Sequence, residues 1–125
     1  MKALLILAHG SRKAESNQEV QNLADTYAIL NGDDYPIVKA GFLELSQPDI
    51  DTVITESVQA GATELTILPY FLAAGAHVVD DIPSNVTKSI NKFSDIEVHI
   101  LPHIGAAGGM IGLIKDVALS PVTEQ

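Results

Sequence analysis

The sequence predicts an α/β fold, a single three-layer domain built on a four-stranded parallel sheet. Three observations carry that expectation. Short apolar runs alternate with helix-spaced apolar stripes four times along the 125 residues, giving the order βαβαβαβα. The first run, Ala3–Ala8, is apolar without interruption, the pattern of a strand covered on both faces. Parallel strands joined through helices are linked by right-handed crossovers, so helices fall on both faces of the sheet.

The first strand, Ala3–Ala8, ends at His9-Gly10-Ser11-Arg12. From Ala14 to Leu30, Val20, Leu23, Ala24, Tyr27 and Ala28 recur at intervals of three and four, one face of a helix. Asn31-Gly32 closes it, with Gly32 suited to a left-handed cap. Pro36–Phe42 is the second strand. Pro48 takes a first helical position, and Ile50, Val53, Ile54 and Val58 form the next stripe, stopped at Gly61. Glu64–Phe71, ELTILPYF, is the third strand, and Pro69 ends its ladder. Asp80, Asp81 and Pro83 mark a helix start, the acids facing the positive end of the helix dipole; Ile82, Val86 and Ile90 continue it. Ile96–Leu101 is the fourth strand. The turn GAAGG, Gly105–Gly109, leads into a short helix carrying Leu113, Ile114 and Val117. The domain is expected to span residues 1–120, with 121–125 a frayed tail.

Composition excludes several classes of function. Hydrophobic residues make up 46% of the chain and charged residues 18%, a globular balance. There is no cysteine, hence no disulfide, thiolate metal site or thiol nucleophile. The net charge of −9 leaves no basic surface for nucleic acid. It favours small cations instead. The opening apolar run is too short for a signal core or a membrane span, so a cytoplasmic protein off the membrane is expected. Four strands leave exposed edges that a homodimer would cover.

Ligands in open α/β sheets bind beyond the carboxyl ends of the strands. His9, Ser11 and Arg12 follow the first strand, Phe42, Leu43 and Glu44 the second, Tyr70, Phe71, Leu72 and then His77 the third, and His103 the fourth. Three of the four histidines thus fall at one end of the sheet, and His99, inside the fourth strand, is the exception. Each residue alone has a plainer role: a hydrogen-bonded loop histidine, a helix cap at Glu44, a solvated turn at Arg12 and Lys13. Together, two imidazoles and a carboxylate suit an open, exchangeable site for Co2+, Ni2+, Fe2+ or Zn2+, in which the histidines also accept protons. GAAGG lacks both the P-loop lysine and the GxGxxG order, so no nucleotide is expected. Ser11 is not in a G-x-S-x-G elbow.

LLILAHGSRKAESNQEV, GFLELSQPDI and LPYFLAAGAHVVDDIP, in that order and spacing, resemble the small-type sirohydrochlorin cobaltochelatases of the class II chelatase group, which includes the siroheme ferrochelatases. The likeness covers about residues 1–101. It implies a chelatase-like half that works as a homodimer across a central cleft. The activity it implies is ATP-independent insertion of a divalent metal (Co2+ first, Ni2+ or Fe2+ as alternatives) into sirohydrochlorin, in cobalamin or siroheme biosynthesis. His9 and His77 match the family's metal ligands and proton acceptors, and Glu44 matches the acid of the site. Phe42, Leu43, Tyr70, Phe71 and Leu72 would wall the macrocycle. Gly75 would allow close approach of the loop, and Ser11 and Arg12 would meet peripheral carboxylates. The chain departs from the family pattern at Ala76, where a basic residue is common, and in the turn Ala73-Ala74-Gly75. The alternative expectation is a non-catalytic carrier of metal or tetrapyrrole using the same cleft.

Overall fold

A computed structural model describes residues 1–121. Residues 122–125, most of the expected tail, lie outside the described residues. The elements in chain order are β1 (Lys2–Ala8), α1 (Ala14–Asn31), β2 (Ile37–Phe42), α2 (Ile50–Gln59), β3 (Glu64–Pro69), α3 (Ile82–Ile90), β4 (Glu97–Ile100) and α4 (Met110–Ala118). A π-helical turn, His77–Asp81, runs directly into α3, and a 3-10 turn, Ile104–Ala106, precedes α4.

The four strands are parallel in the order β2-β1-β3-β4. The unbroken apolar run of β1 is explained by its central place: Ala3 to Ala8 are all buried. Its odd residues Ala3, Leu5 and Leu7 pack with Leu65 and Ile67 of β3 against Ile50, Val53 and Ile54 of α2 and Ile82 and Val86 of α3. Its even residues Leu4 and Ile6 pack with Ala40 against Ala24 of α1. Each fully buried Leu or Ile side chain contributes about 1.5–3 kcal/mol relative to exposure. The expected three layers are therefore present, with α1 on one face and α2 and α3 on the other.

Four local expectations are corrected. Gly32 has φ −63° and is right-handed, because the chain leaves α1 through a further turn in which Asp34 N–H donates to the Asn31 carbonyl. Pro48 lies ahead of α2; Asp49 takes the cap, its side chain accepting from Thr52 N–H at 2.9 Å, which an aspartate does better than proline can. The third helical segment begins at His77 rather than Asp80, since Val78 and Val79 N–H donate to the Gly75 carbonyl and nucleate an earlier turn. The last helix, α4, has no buried residue and does not lie on the sheet of its own chain. Among the described residues no helix is long and apolar enough to cross a membrane.

Candidate metal-handling site at the carboxyl edge of the sheet

β1 delivers His9 to the edge of the sheet and β2 delivers Glu44 beside it. Past the paired strands, Leu43 N–H donates to the Ala8 carbonyl and Glu44 N–H to the His9 carbonyl, at 2.9 and 3.0 Å. This two-bond extension sets the Glu44 carboxylate at 2.9 Å from His9 Nε2. Gly10 makes the approach possible: its φ is +96°, and a Cβ there would lie 1.8 Å from the Glu44 carbonyl oxygen. Glycine is thus required on both steric counts.

His77 comes from the other side. The chain leaves β3 with Tyr70 N–H donating to the Leu7 carbonyl and turns through Leu72–Gly75 into the π-helical turn. His77 heads that turn, and its ring lies 4.6 Å from the His9 ring, centroid to centroid, tilted by 50°. Its Nδ1 faces the Asp81 carboxylate at 2.7 Å, one turn on.

The hydrogen bonds sort the ring nitrogens. His9 Nδ1 lies 3.0 Å from the Gly10 carbonyl oxygen, which can only accept. Asp81 as a carboxylate likewise accepts from His77 Nδ1–H. Each imidazole is therefore anchored through Nδ1, which leaves Nε2 as the nitrogen for a ligand. Metal-binding histidines are typically held in this way, the other ring nitrogen donating to a carboxylate or a backbone carbonyl. His9 Nε2 faces the Glu44 carboxylate, which can only accept from it or share a cation with it. The His9 and His77 side chains are 38% and 48% exposed, which suits exchange rather than permanent retention.

The other expected residues divide. Tyr70 and Leu72 are exposed at the same edge, Leu72 by 78%. Phe42 is fully buried beneath the site and cannot touch a substrate, because its place on β2 turns it into the core. Leu43 and Phe71 pack partly into the core beneath α2 and α3. A Cβ at Gly75 would meet no protein atom, and its carbonyl starts the helical turn. Ser11 Oγ accepts from Lys13 N–H and its backbone is clasped by Asn17 through bonds of 2.8 and 2.7 Å. The hydroxyl hydrogen is still able to donate. Arg12 is exposed and has no carboxylate partner among the described residues. His103 stands at the start of the 3-10 turn, outside the imidazole pair. Sequence reasoning missed Asp81 as a site residue. Its signal was the four-residue interval from His77, which on a helix puts both side chains on one face. Exposed Leu45, on the Glu44 loop, was also missed.

Residues 3–119 match the CbiX family. A sirohydrochlorin cobaltochelatase from Sulfolobus acidocaldarius is 30% identical over 118 residues, 94% of this chain and 90% of that protein. A chloroplastic sirohydrochlorin ferrochelatase from Arabidopsis thaliana is 32% identical over 113 residues, 90% of this chain and 49% of that protein. The solved structure of the sirohydrochlorin chelatase SirB from Bacillus subtilis subspecies spizizenii in complex with cobalt superposes with a TM-score of 0.79 at 27% identity, covering 94% of this chain and 51% of SirB. The chain thus spans about half the length of the Arabidopsis protein and of SirB, and nearly all of the Sulfolobus protein. With a match across almost its whole length and the same α/β architecture, the chain belongs to the CbiX family.

Proposed function

We propose that the protein inserts a divalent metal into sirohydrochlorin without ATP, with Co2+ the first candidate and Fe2+ or Ni2+ the alternatives. One observation carries the proposal: two imidazoles whose rings are 4.6 Å apart, each held at Nδ1 by an acceptor, with His9 Nε2 beside the Glu44 carboxylate. Neutral imidazole binds late divalent ions well, whereas few oxygen ligands converge here, which disfavours Ca2+ or Mg2+. The names of the Sulfolobus and Arabidopsis relatives support both cobalt and iron.

Insertion exchanges one M2+ for two pyrrole N–H protons, so the site must hold a cation and take up two protons. The metal exchanges water for His77 Nε2 and His9 Nε2, and Glu44 accepts the proton that leaves His9. As the macrocycle nitrogens replace the imidazoles, each freed Nε2 is a base beside a pyrrole N–H. Exposed Tyr70, Leu72 and Leu45 would offer apolar surface to the ring, and Arg12 and the Ser11 hydroxyl would meet its carboxylates. One copy covers only one side of a flat macrocycle, and a homodimer supplies the other. A cytoplasmic location fits the composition.

The test is absorbance of sirohydrochlorin mixed with purified protein and Co2+, Fe2+ or Ni2+ in turn. Faster spectral conversion than in protein-free controls, lost in His77→Ala, is the expected result. No acceleration with any of the three metals would refute the activity. Stoichiometric binding of metal or tetrapyrrole without turnover would establish the carrier instead, a reading favoured by exposed Ala76 and by the shortage of cations around the histidines.

A further inference from the structure

Asn17 stands in the first turn of α1, where alanine or glutamate would be the better helix former. Its side chain bonds the loop after β1 rather than the helix. It grips Ser11 on both sides of the backbone. Asn17 Oδ1 accepts from Ser11 N–H at 2.8 Å, and Asn17 Nδ2 donates to the Ser11 carbonyl at 2.7 Å. A backbone N–H only donates and a carbonyl only accepts, so these partners fix which end of the amide faces which group. The cap position of α1 is Lys13, which makes no side-chain capping bond, so the Asn17 contact belongs to the loop and not to helix capping.

The peptide unit it holds is the one that anchors His9. The Ser11 N–H and the Gly10 carbonyl belong to a single planar peptide group, and that carbonyl is the acceptor 3.0 Å from His9 Nδ1. A chain of two hydrogen bonds thus runs from His9 Nδ1–H through this peptide to Asn17 Oδ1. The peptide needs such a hold. Gly10 has φ +96° and no side chain to restrict its ψ, so the plane between Gly10 and Ser11 is free to rotate. Half a turn would bring the Ser11 N–H to His9 Nδ1 in place of the carbonyl. The ring would then accept at Nδ1 and carry its proton at Nε2, the nitrogen assigned to the cation. Asn17 opposes that rotation twice: turning the plane breaks the bond at Oδ1, while Nδ2 holds the next carbonyl in place. Acceptance at the N–H also polarises the Gly10 carbonyl toward His9.

We infer that Asn17 is a positioning residue for His9. It keeps the Gly10 carbonyl on His9 Nδ1 and so turns Nε2 toward Glu44 and the cation. This deepens the proposed function and rests on its use of His9 as a metal ligand. The arrangement parallels that of Asp81 behind His77, but the two differ in reach. Asp81 touches its imidazole directly. Asn17 acts through one peptide group, and the backbone it holds lies six residues away in the chain. Each imidazole therefore has a side chain behind it, from α1 for His9 and from the π-helical turn for His77.

The test follows the imidazole nitrogens of isotopically labelled protein by NMR, with diamagnetic Zn2+ as the probe, in mildly alkaline buffer where free imidazole is neutral. In the wild-type Zn2+ complex, His9 is expected to show a shifted Nε2 and a slowly exchanging Nδ1 proton. Asn17→Ala is expected to release that proton to fast exchange and to weaken Zn2+ binding at His9 about tenfold, the lower end for loss of such a support. Alanine favours the helix at this half-buried position, so the fold is expected to survive. Asn17→Asp keeps an acceptor for the Ser11 N–H and should restore the His9 signals in large part. The His77 signals are expected to stay at their wild-type positions in both variants. Unchanged His9 exchange and Zn2+ affinity in Asn17→Ala would overturn the inference. So would an equal disturbance of His77, which would mark a general loosening of the fold. An absence of Zn2+-induced shifts at both His9 and His77 in the wild type would instead overturn the metal-site reading, and the inference with it.

Discussion

Asp81 is the most direct test of how the proposed metal-binding imidazole of His77 is held. Its carboxylate lies 2.7 Å from His77 Nδ1, while its backbone carbonyl accepts separately from Asn85 Nδ2. Replacing the side chain therefore leaves the backbone bond in place. Asp81→Asn keeps an acceptor oxygen but removes its charge. A hydrogen bond to a charged group contributes about 1 kcal/mol more than a neutral one, so a loss of about fivefold in kcat/KM for metal is expected. Asp81→Ala removes the acceptor and frees the ring to turn. Loss of such a partner typically costs 10–100-fold, and with this carboxylate 46% exposed the lower end, about tenfold, is expected. His77→Ala should cost more than either. The assay is Co2+ insertion into sirohydrochlorin at varied metal concentration, with the fold checked by circular dichroism. An Asp81→Ala protein within twofold of wild type would refute the anchoring role. One less active than His77→Ala would show that Asp81 acts on its own and not through His77.

Three further outcomes follow from the packing. Gly10→Ala should destabilise by more than about 2 kcal/mol in urea unfolding, because its Cβ would overlap the Glu44 carbonyl at a φ of +96°; a loss under 0.5 kcal/mol would show that the two loops separate freely. Hydrogen bonds from Lys92 and then Ser89 hold the Asp51 carboxyl below its ordinary value of 3.8. A lowered folded value stabilises above the unfolded value and is lost as pH falls through the folded one, so Asp51→Asn should lower Tm slightly at pH 7 and not at all in strong acid, with exposure limiting the effect to under about 1 kcal/mol. The buried Thr55 hydroxyl has no hydrogen-bond partner among the described residues, so Thr55→Val should be neutral or raise stability by up to about 1 kcal/mol, and a fall in Tm would show that the hydroxyl is satisfied in solution.

Much of the site was legible because it depends on a topological rule and on strand ends. His9 and Glu44 follow apolar runs, and parallel pairing of β1 with β2 sends both to one edge whatever the loops do. His77 was legible as a residue after the third strand, but its place on a helix was not. The early π-helical turn moved the start back past Asp80, which turned Asp81 from a dipole-facing acid into the partner of an imidazole. Phe42 shows a different limit. Alternation in Pro36–Phe42 does not say which residue is last to face the core, and the Pro48 carbonyl, accepting from Phe42 N–H, keeps it inside. The course of α4 was beyond any local pattern, since the contact between Gly105 and Leu72 that directs it joins residues far apart in sequence.

The chain contains a second histidine–carboxylate group, and the contrast shows why donor count is not enough. On β3 and β4, His99 Nε2 lies 3.3 Å from Glu64 and 3.5 Å from Glu97, within reach of a common ion. There one nitrogen is shared between two carboxylates. No anchor fixes its Nδ1 among the described residues, and the group offers one soft donor and two hard ones. At the carboxyl edge the proportions reverse: two imidazoles converge, each oriented from behind by a separate acceptor, with a single carboxylate at the ligand side. Ions that prefer nitrogen gain from the second arrangement and little from the first. Orientation, rather than residue type, therefore favours His9 and His77 over His99 as the proposed metal ligands.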